Sequence, residues 1–482
     1  MKLISKALAS GTVALGLCSA SLVACIHAQA SEGSTIQELG VSTEIEKPSK
    51  DLDALDSLVV AQALRNGWKQ VGSEWYYYQN GVMLKNKWVK DKDLWYYLSA
   101  NGTMSRSAWI KTNARWYHVG ENGAMQTDQW LQDKGKWYYL QISGEMVEEG
   151  WVKSKDLWYY FDNTGAMVSS RWVFYKDNWY YLSDTGAMHT GMLLLDSKVY
   201  YLDEEGRMLK GWQRLYNDDV YFDNSGAMQA TDRRALLLGE TSSDAIPLAD
   251  IYAMYNTFER LSFNGRAFKT IENYPDKTKD QVVAKIKSFF ANSQDSDVNY
   301  LFITTHGGKG YLVIDKDHTP LYASELRSLL DGLKGKFVVM IDACHSGSLV
   351  GKDAQSDAKA FVDEFLQANS LAEKGKYFNS DKYIIFASST GDQLSYGSRF
   401  SHMPSVATHA WSLALGWDQL STNKSNMLAD GNKDERVSIR EFSTYSQTKI
   451  KDILTERYPE RSMQQDMVAY PETLAFNVFS RS

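Results

Sequence analysis

The chain has 482 residues, 44% hydrophobic and 13% aromatic, with a formal net charge of −7. That length exceeds what one core organises, so two or more domains are expected. The acidic balance argues against nucleic acid and anionic membrane as main partners.

Residues 1–30 read as an export signal. Lys2 and Lys6 open it, an apolar stretch covers residues 7–26, and Ala28-Gln29-Ala30 is a small-x-small cleavage site. No later stretch is long and apolar enough to span a bilayer, so the mature chain reads as secreted or surface-held. Leu22-Val23-Ala24-Cys25 also resembles the lipobox of bacterial lipoproteins, which would make Cys25 a lipidated first residue. Both routes fit these residues. Residues 31–65 are polar and acidic and read as a linker.

A repeat fills residues 66–231. A leading Trp stands at Trp68, Trp88, Trp109, Trp130, Trp151, Trp172 and Trp212, with Met192 in the seventh of the eight places. A second Trp follows seven residues later at Trp75, Trp95, Trp116, Trp137, Trp158 and Trp179, and Gly-x-Met closes each copy. A fixed short period means a stacked array. Trp-Tyr-Tyr suits a short strand and Asn-Thr-Gly a tight turn, so each copy is expected to be one β-hairpin of a solenoid. Converging aromatic faces attract a quaternary ammonium without a carboxylate. The alternative is that these rings are only solenoid core.

The array resembles the choline-binding repeats of Gram-positive surface proteins, which hold choline on teichoic acids. A related repeat class binds glucans, with repeats less like Trp-Tyr-Tyr. The resemblance implies sites built from two Trp of one repeat and a Tyr of the next, with a Met beside them. Matching groups are Trp68, Trp75 and Tyr97; Trp88, Trp95 and Met104; Trp109 and Trp116; Trp130, Trp137 and Tyr160; and Trp151, Trp158 and Tyr181. Met192, Val199 and Val220 stand in place of Trp in the last two copies, which read as a cap against the next domain.

After Asp232 the texture changes. Residues 234–239, 267–271, 298–305, 336–341 and 382–388 read as strands, and several are continuous apolar runs. Residues 248–263, with Ile251, Met254, Tyr255 and Phe258 on one face, read as a helix, as do 279–291 and 441–457. Alternating strands and helices predict an α/β domain with a mostly parallel sheet, whose ligands bind at carboxyl ends of strands. One strand ends in Thr305-His306-Gly307-Gly308 and another in Asp342-Ala343-Cys344. The chain holds three cysteines. Cys18 and Cys25 lie in the leader, so cleavage after Ala30 leaves Cys344 as the one thiol. A Cys and a His at neighbouring strand ends make a nucleophile with its acid–base partner. The plainer reading is a buried cysteine acting as a small hydrophobe.

Residues 232–482 resemble the caspase–legumain clan of cysteine peptidases through His306-Gly307 and Asp342-Ala343-Cys344-His345-Ser346-Gly347-Ser348, a form close to metacaspases. The resemblance implies a caspase-like fold, Cys344 as nucleophile, His306 as proton donor to the leaving amine, and an oxyanion hole of the Gly307 and Cys344 backbone N–H groups. His345 reads as structural. Asp342 would line the specificity pocket, with Asp250 and Asp392 as further acids, and such carboxylates favour Arg or Lys before the cleaved bond. Relatives often cut themselves after the nucleophile, where Lys352, Lys359, Lys374 and Lys376 fit an acidic pocket; the alternative is a solvated insertion with a helix near 358–368.

Asp430, Asn432, Asp434, Arg436, Ser438 and Glu441 follow EF-hand ligand spacing, with Glu435 where that loop wants Gly. Calcium would be the ion; the alternative is an acidic turn before a helix. No cofactor is needed for the chemistry. The expected protein is an exported cysteine endopeptidase on choline-bearing teichoic acid, acting on proteins or peptides. Its rival is a surface adhesin or scaffold with an inactive peptidase domain.

Overall fold

The computed structural model describes residues 66–241, 245–308, 311–344, 382–390, 393–397, 403–418, 426–471 and 476–481. The leader, the linker, His345, Asp392 and the four lysines after the nucleophile lie outside the described residues.

Among the described residues, eight antiparallel hairpins run from Gly67–Val71 with Glu74–Gln79 to Gly211–Leu215 with Asp218–Phe222. Their loops are two residues long, and in seven of the eight both residues lie in the left-handed region, as at Lys92 and Asp93 (φ 46° and 66°). That pair matches strand twist, as short hairpins require. The Gly-x-Met ending has a packing reason. Gly165 has φ +79°, and a Cβ there would lie 2.2 Å from Cε of Met146 in the preceding copy. Glycine both makes the turn and leaves room for the neighbour's methionine.

By compactness, residues 66–191 and 204–207 form one unit, and 192–203 with 208–481 form another. The expected boundary lay at 231. The final hairpin groups instead with the α/β part because it bonds to it. Asp218 pairs with Arg436, and the Asp219 carboxylate accepts the Asn477 N–H at 2.7 Å.

The α/β part is built from β1 (Arg233–Gly239), α1 (Ile246–Phe258), β2 (Thr270–Pro275), α2 (Lys279–Phe290), β3 (Val298–Thr304), α3 (Ala323–Asp331), β4 (Lys336–Asp342), β5 (Tyr383–Ala387), α4 (Val406–Ala414), α5 (Ile439–Arg457) and β6 (Val468–Tyr470). The sheet order is β2-β1-β3-β4-β5-β6; the first five are parallel and β6 is antiparallel. Alternate residues of each central strand enter opposite cores. Ala235, Leu237, Tyr300, Phe302, Val338 and Met340 pack under α1, α4 and α5. Leu236, Leu238, Leu301, Ile303, Val339 and Ile341 pack under α2 and α3. Burial on both faces explains the continuous apolar runs.

Two expected elements shift. The helix expected over 248–263 ends at Phe258, because Asn264 and Gly265 (φ 53° and 76°) turn a small hairpin pairing Ser262–Phe263 with Arg266–Ala267. The strand expected over 267–271 begins at Thr270 and runs to Pro275, as the edge partner of β1.

Candidate functional site

β3 and β4 lie side by side with Thr304 opposite Asp342, and Thr305 N–H donates to the Asp342 carbonyl at 3.0 Å. Both strands then stop. His306-Gly307 and Ala343-Cys344 therefore emerge together at the carboxyl edge of the sheet. The approach is close: a Cβ on Gly307 would lie 2.2 Å from the Cys344 carbonyl oxygen, so only glycine fits. The His306 backbone is fixed by its carbonyl, which accepts Val313 N–H at 2.8 Å, while its side chain is exposed. The Cys344 thiol is half-buried and donates to the Ser395 carbonyl at 3.4 Å. Burial chiefly pushes that thiol above its ordinary range, and the Asp342 charge adds to the shift. It is a protonated thiol at neutral pH and needs a base to become a nucleophile.

Asp342 and Asp250 meet behind Cys344, 3% and 1% exposed. Ser405 joins them: its N–H donates to Asp250 at 2.7 Å and its hydroxyl to Asp342. Asp342 also accepts Ser395 Oγ at 2.6 Å, Thr408 Oγ1 at 2.6 Å and Thr408 N–H at 3.0 Å. Thr304 Oγ1 lies 2.6 Å from Asp250. Burial, then the Asp342 charge, hold Asp250 well above the usual carboxylate range. Both acids thus engage donors from the protein itself.

Gln465 completes the cluster. Its amide donates to Ser388 O at 2.8 Å and Ser395 Oγ at 3.1 Å, and its carbonyl accepts Tyr396 N–H at 3.1 Å. No sequence signal pointed to Ser395 or Gln465. Ser405-x-x-Thr408 had a legible one, the N-cap pattern of α4, where Ser405 Oγ accepts Thr408 N–H at 3.2 Å.

In the repeats, the register puts Trp88, Lys90, Trp95 and Tyr97 on one face of a hairpin and Tyr96 on the other. The structure therefore corrects the tyrosine of each box. Trp68 meets Tyr96 of the next hairpin at 5.0 Å, whereas Tyr97 packs on its own Trp88 at 5.2 Å. Likewise Trp130 meets Tyr159 at 4.8 Å and Trp151 meets Tyr180 at 5.1 Å, while Tyr160 packs on Trp151. Tyr181 packs on Trp172. Trp88 and Trp109 take Tyr117 and Tyr138 in the same way. Met104 also moves one box: its N–H donates to Trp75 O at 2.7 Å, and it belongs to the small core against which Trp68, Trp75 and Tyr96 pack. The second Trp of several boxes stays open, with Trp95, Trp137 and Trp158 each 41% exposed. In the last hairpin Asp219, not Val220, holds the second-Trp place, opposite Arg214 as Trp158 is opposite Lys153.

The Peptidase C13 family matches residues 272–363, the span that carries His306 and Cys344. The choline-binding repeat matches 149–192, and the putative cell wall binding repeat matches 66–83, 86–104, 107–125 and 128–146. The chain is thus similar to choline-binding repeats over residues within 66–192 and to the Peptidase C13 family over 272–363. CbpJ from Streptococcus pneumoniae TIGR4 is 32% identical over 35% of this chain and 66% of its own, with a TM-score of 0.31. Choline binding protein F from Streptococcus pneumoniae is 32% identical over 34% of this chain and 58% of its own, TM-score 0.29. The multimodular pneumococcal cell wall endolysin from phage Cp-1, solved complexed with choline, is 28% identical over 26% and 37%, TM-score 0.21. The chain thus spans less than two thirds of each of these proteins. No curated protein matches the chain significantly.

Behind the Peptidase C13 match lies the 430–441 loop. Asp430 accepts Asp434 N–H at 3.1 Å and Glu435 N–H at 2.9 Å, and Asn432 accepts Asp434 N–H at 2.9 Å. Asp434 accepts Arg436 N–H at 3.0 Å. Glu441 reaches back to Ser438 N–H at 2.9 Å and Ser438 Oγ at 2.8 Å, the capping box of α5. Glu435 adopts φ 62° although it is not glycine. Among the described residues no three His, Cys, Asp or Glu side chains converge as a metal site, and Arg436 brings a guanidinium to the loop.

Proposed function

We propose that this chain is an exported cysteine endopeptidase that docks on choline-bearing cell wall and cleaves after Arg or Lys. One observation carries the reading: Cys344 and His306-Gly307 emerge side by side from adjoining parallel strands inside a Peptidase C13 match. The sheet order, with a single antiparallel edge strand, supports a caspase-like arrangement.

The chemistry follows from the groups present. His306 takes the proton of Cys344, and Sγ adds to the scissile carbonyl. Backbone N–H groups of Gly307 and Cys344 stabilise the oxyanion. The C–N bond breaks as His306 returns the proton to the leaving amine, and water then hydrolyses the thioester. Asp342 and Asp250 are the acids we assign to the pocket for a basic residue before the cleaved bond, an assignment that rests on the motif around Cys344. Asp392 remains a third proposed acid. In the array, Trp68, Trp75, Tyr96 and Met104, and their equivalents along the stack, offer aromatic faces of the kind that take a trimethylammonium.

The test is a fluorogenic peptide ending in Arg or Lys, with retention on choline resin measured in parallel. Cys344→Ala is expected to abolish cleavage, by at least about a thousandfold, with retention unchanged. No cleavage by the wild-type protein would sink the peptidase reading and leave a scaffold.

A further inference from the structure

The final hairpin keeps its leading tryptophan, Trp212, and the tyrosine of its own strand pair, but changes the second ring that faces them and the second-Trp place. In the fifth hairpin Trp151 meets Tyr160 of its own strand pair at 5.1 Å and 64°, and Tyr180 of the next at 5.1 Å and 63°. Trp212 likewise meets its own Tyr221 at 5.5 Å and 64°. The second partner comes from the catalytic part: Phe476 stands 5.4 Å away, nearly perpendicular at 83°. A cation sits among these rings. Lys336 Nζ lies 4.8 Å from the centroid of Phe476 and 5.7 Å from that of Trp212. Lys336 is only 2% exposed. Trp212, Tyr221 and Lys336 border a cavity of about 320 Å³.

We infer that the last repeat is a lysine receptor: its aromatic box holds the chain's own Lys336, and its Trp-to-Asp change suits it to a primary rather than a quaternary ammonium. The chemistry favours this division. A trimethylammonium has no N–H, so aromatic walls alone can replace its water. A lysine ammonium carries three donors and is strongly hydrated, so an all-aromatic box would strand it. Asp219 brings a carboxylate to the second-Trp place, where the earlier boxes have only a ring. Its carboxylate is itself fixed by Asn477 N–H at 2.7 Å and by Arg214 at 3.3 Å. Burial pushes Asp219 up, and Lys336 is among the charges that oppose the rise.

The site has a mechanical consequence. Lys336 is the first residue of β4, the strand that ends beside Cys344. The last hairpin is therefore fastened to the root of the nucleophile strand, and its box is closed to choline.

The experiment uses the full chain with fluorotryptophan, the Trp212 resonance being assigned by Trp212→Phe, and choline chloride as probe. In the wild type, choline is expected to move resonances of the earlier boxes and leave Trp212 in place. Lys336→Met is expected to shift the Trp212 resonance and lower the urea midpoint of the catalytic unit, whereas Lys336→Arg keeps both. Lys336→Met combined with Asp219→Trp is expected to make Trp212 respond to choline. Choline moving Trp212 in the wild type overturns the inference, as does a Lys336→Met protein with resonance and midpoint unchanged. If Lys336→Met does not fold, Lys336→Arg and the wild-type titration decide: a lowered midpoint in Lys336→Arg, or a choline response at Trp212, overturns it. If choline moves no tryptophan at all, the wall-binding proposal fails, and the Lys336 variants still judge this one. No readout uses peptidase activity.

Discussion

His409 shows how one side chain can set the acid limit of the pocket. It is 6% exposed on α4, the helix whose first turn holds Asp342. Arg457 Nη2 lies 2.6 Å from its Nδ1, so that nitrogen is the acceptor and the ring is neutral. Asp418 stands 3.6 Å from Nε2, beyond a hydrogen bond. Burial first, then the Arg457 charge, push the imidazole down to about 4. The folded value lies below the ordinary one of about 6.5, so the unfolded chain binds the extra proton first. The contribution to stability is full above about pH 6.5 and is lost as pH falls towards 4, by up to about 3 kcal/mol. His409→Gln is expected to flatten the fall of melting temperature between those two pH values. Parallel slopes for variant and wild type would show that the acid sensitivity lies elsewhere.

At the scale of elements, the start of α4 is where pocket and helix share parts. Ser405 caps the helix through Thr408 N–H and also donates to Asp342. Ser405→Ala removes a cap and one donor to a buried carboxylate, which together cost about 1–3 kcal/mol. Urea unfolding should show that loss, and a change under about 0.5 kcal/mol would mean that Asp342 finds another donor. Much of this level was readable from the chain. The apolar runs at 298–305 and 336–341 are β3 and β4, because strands covered on both faces need no polar alternation. The proposed pair, His306 and Cys344, was readable because both residues follow such runs directly. What failed was non-local. Tyr96 and Tyr97 are adjacent in sequence, and only the stacking of hairpins decides which one reaches Trp68. The end of α1 was misplaced because Leu261 and Phe263 continue the apolar period while Asn264-Gly265 bends the chain. Gln465 lies more than a hundred residues from Cys344, with nothing local to mark it.

At the scale of the whole chain, six hairpins form a compact unit of their own, and the last two belong with the α/β part. A stacked array is stabilised by nearest-neighbour contacts, so it can unfold as a block of its own. A ligand that binds only folded boxes raises the stability of that block by RT ln(1 + [L]/Kd), about 2.7 kcal/mol at a hundredfold excess over Kd. Choline should therefore raise one calorimetric transition and leave the other in place. The second transition has its own handle. Asp218 and Arg436 are paired with side chains 7% and 11% exposed, and breaking such a buried pair costs about 3–5 kcal/mol. Asp218→Ala should lower the choline-insensitive transition alone, although Asp218 lies within the repeat sequence. A single transition that shifted as one with choline, or an Asp218→Ala effect confined to the choline-sensitive one, would place the boundary back at residue 231. That outcome makes the final hairpin part of the α/β unit, so that the strand leading to Cys344 is anchored by residues whose sequence still reads as wall-binding repeat.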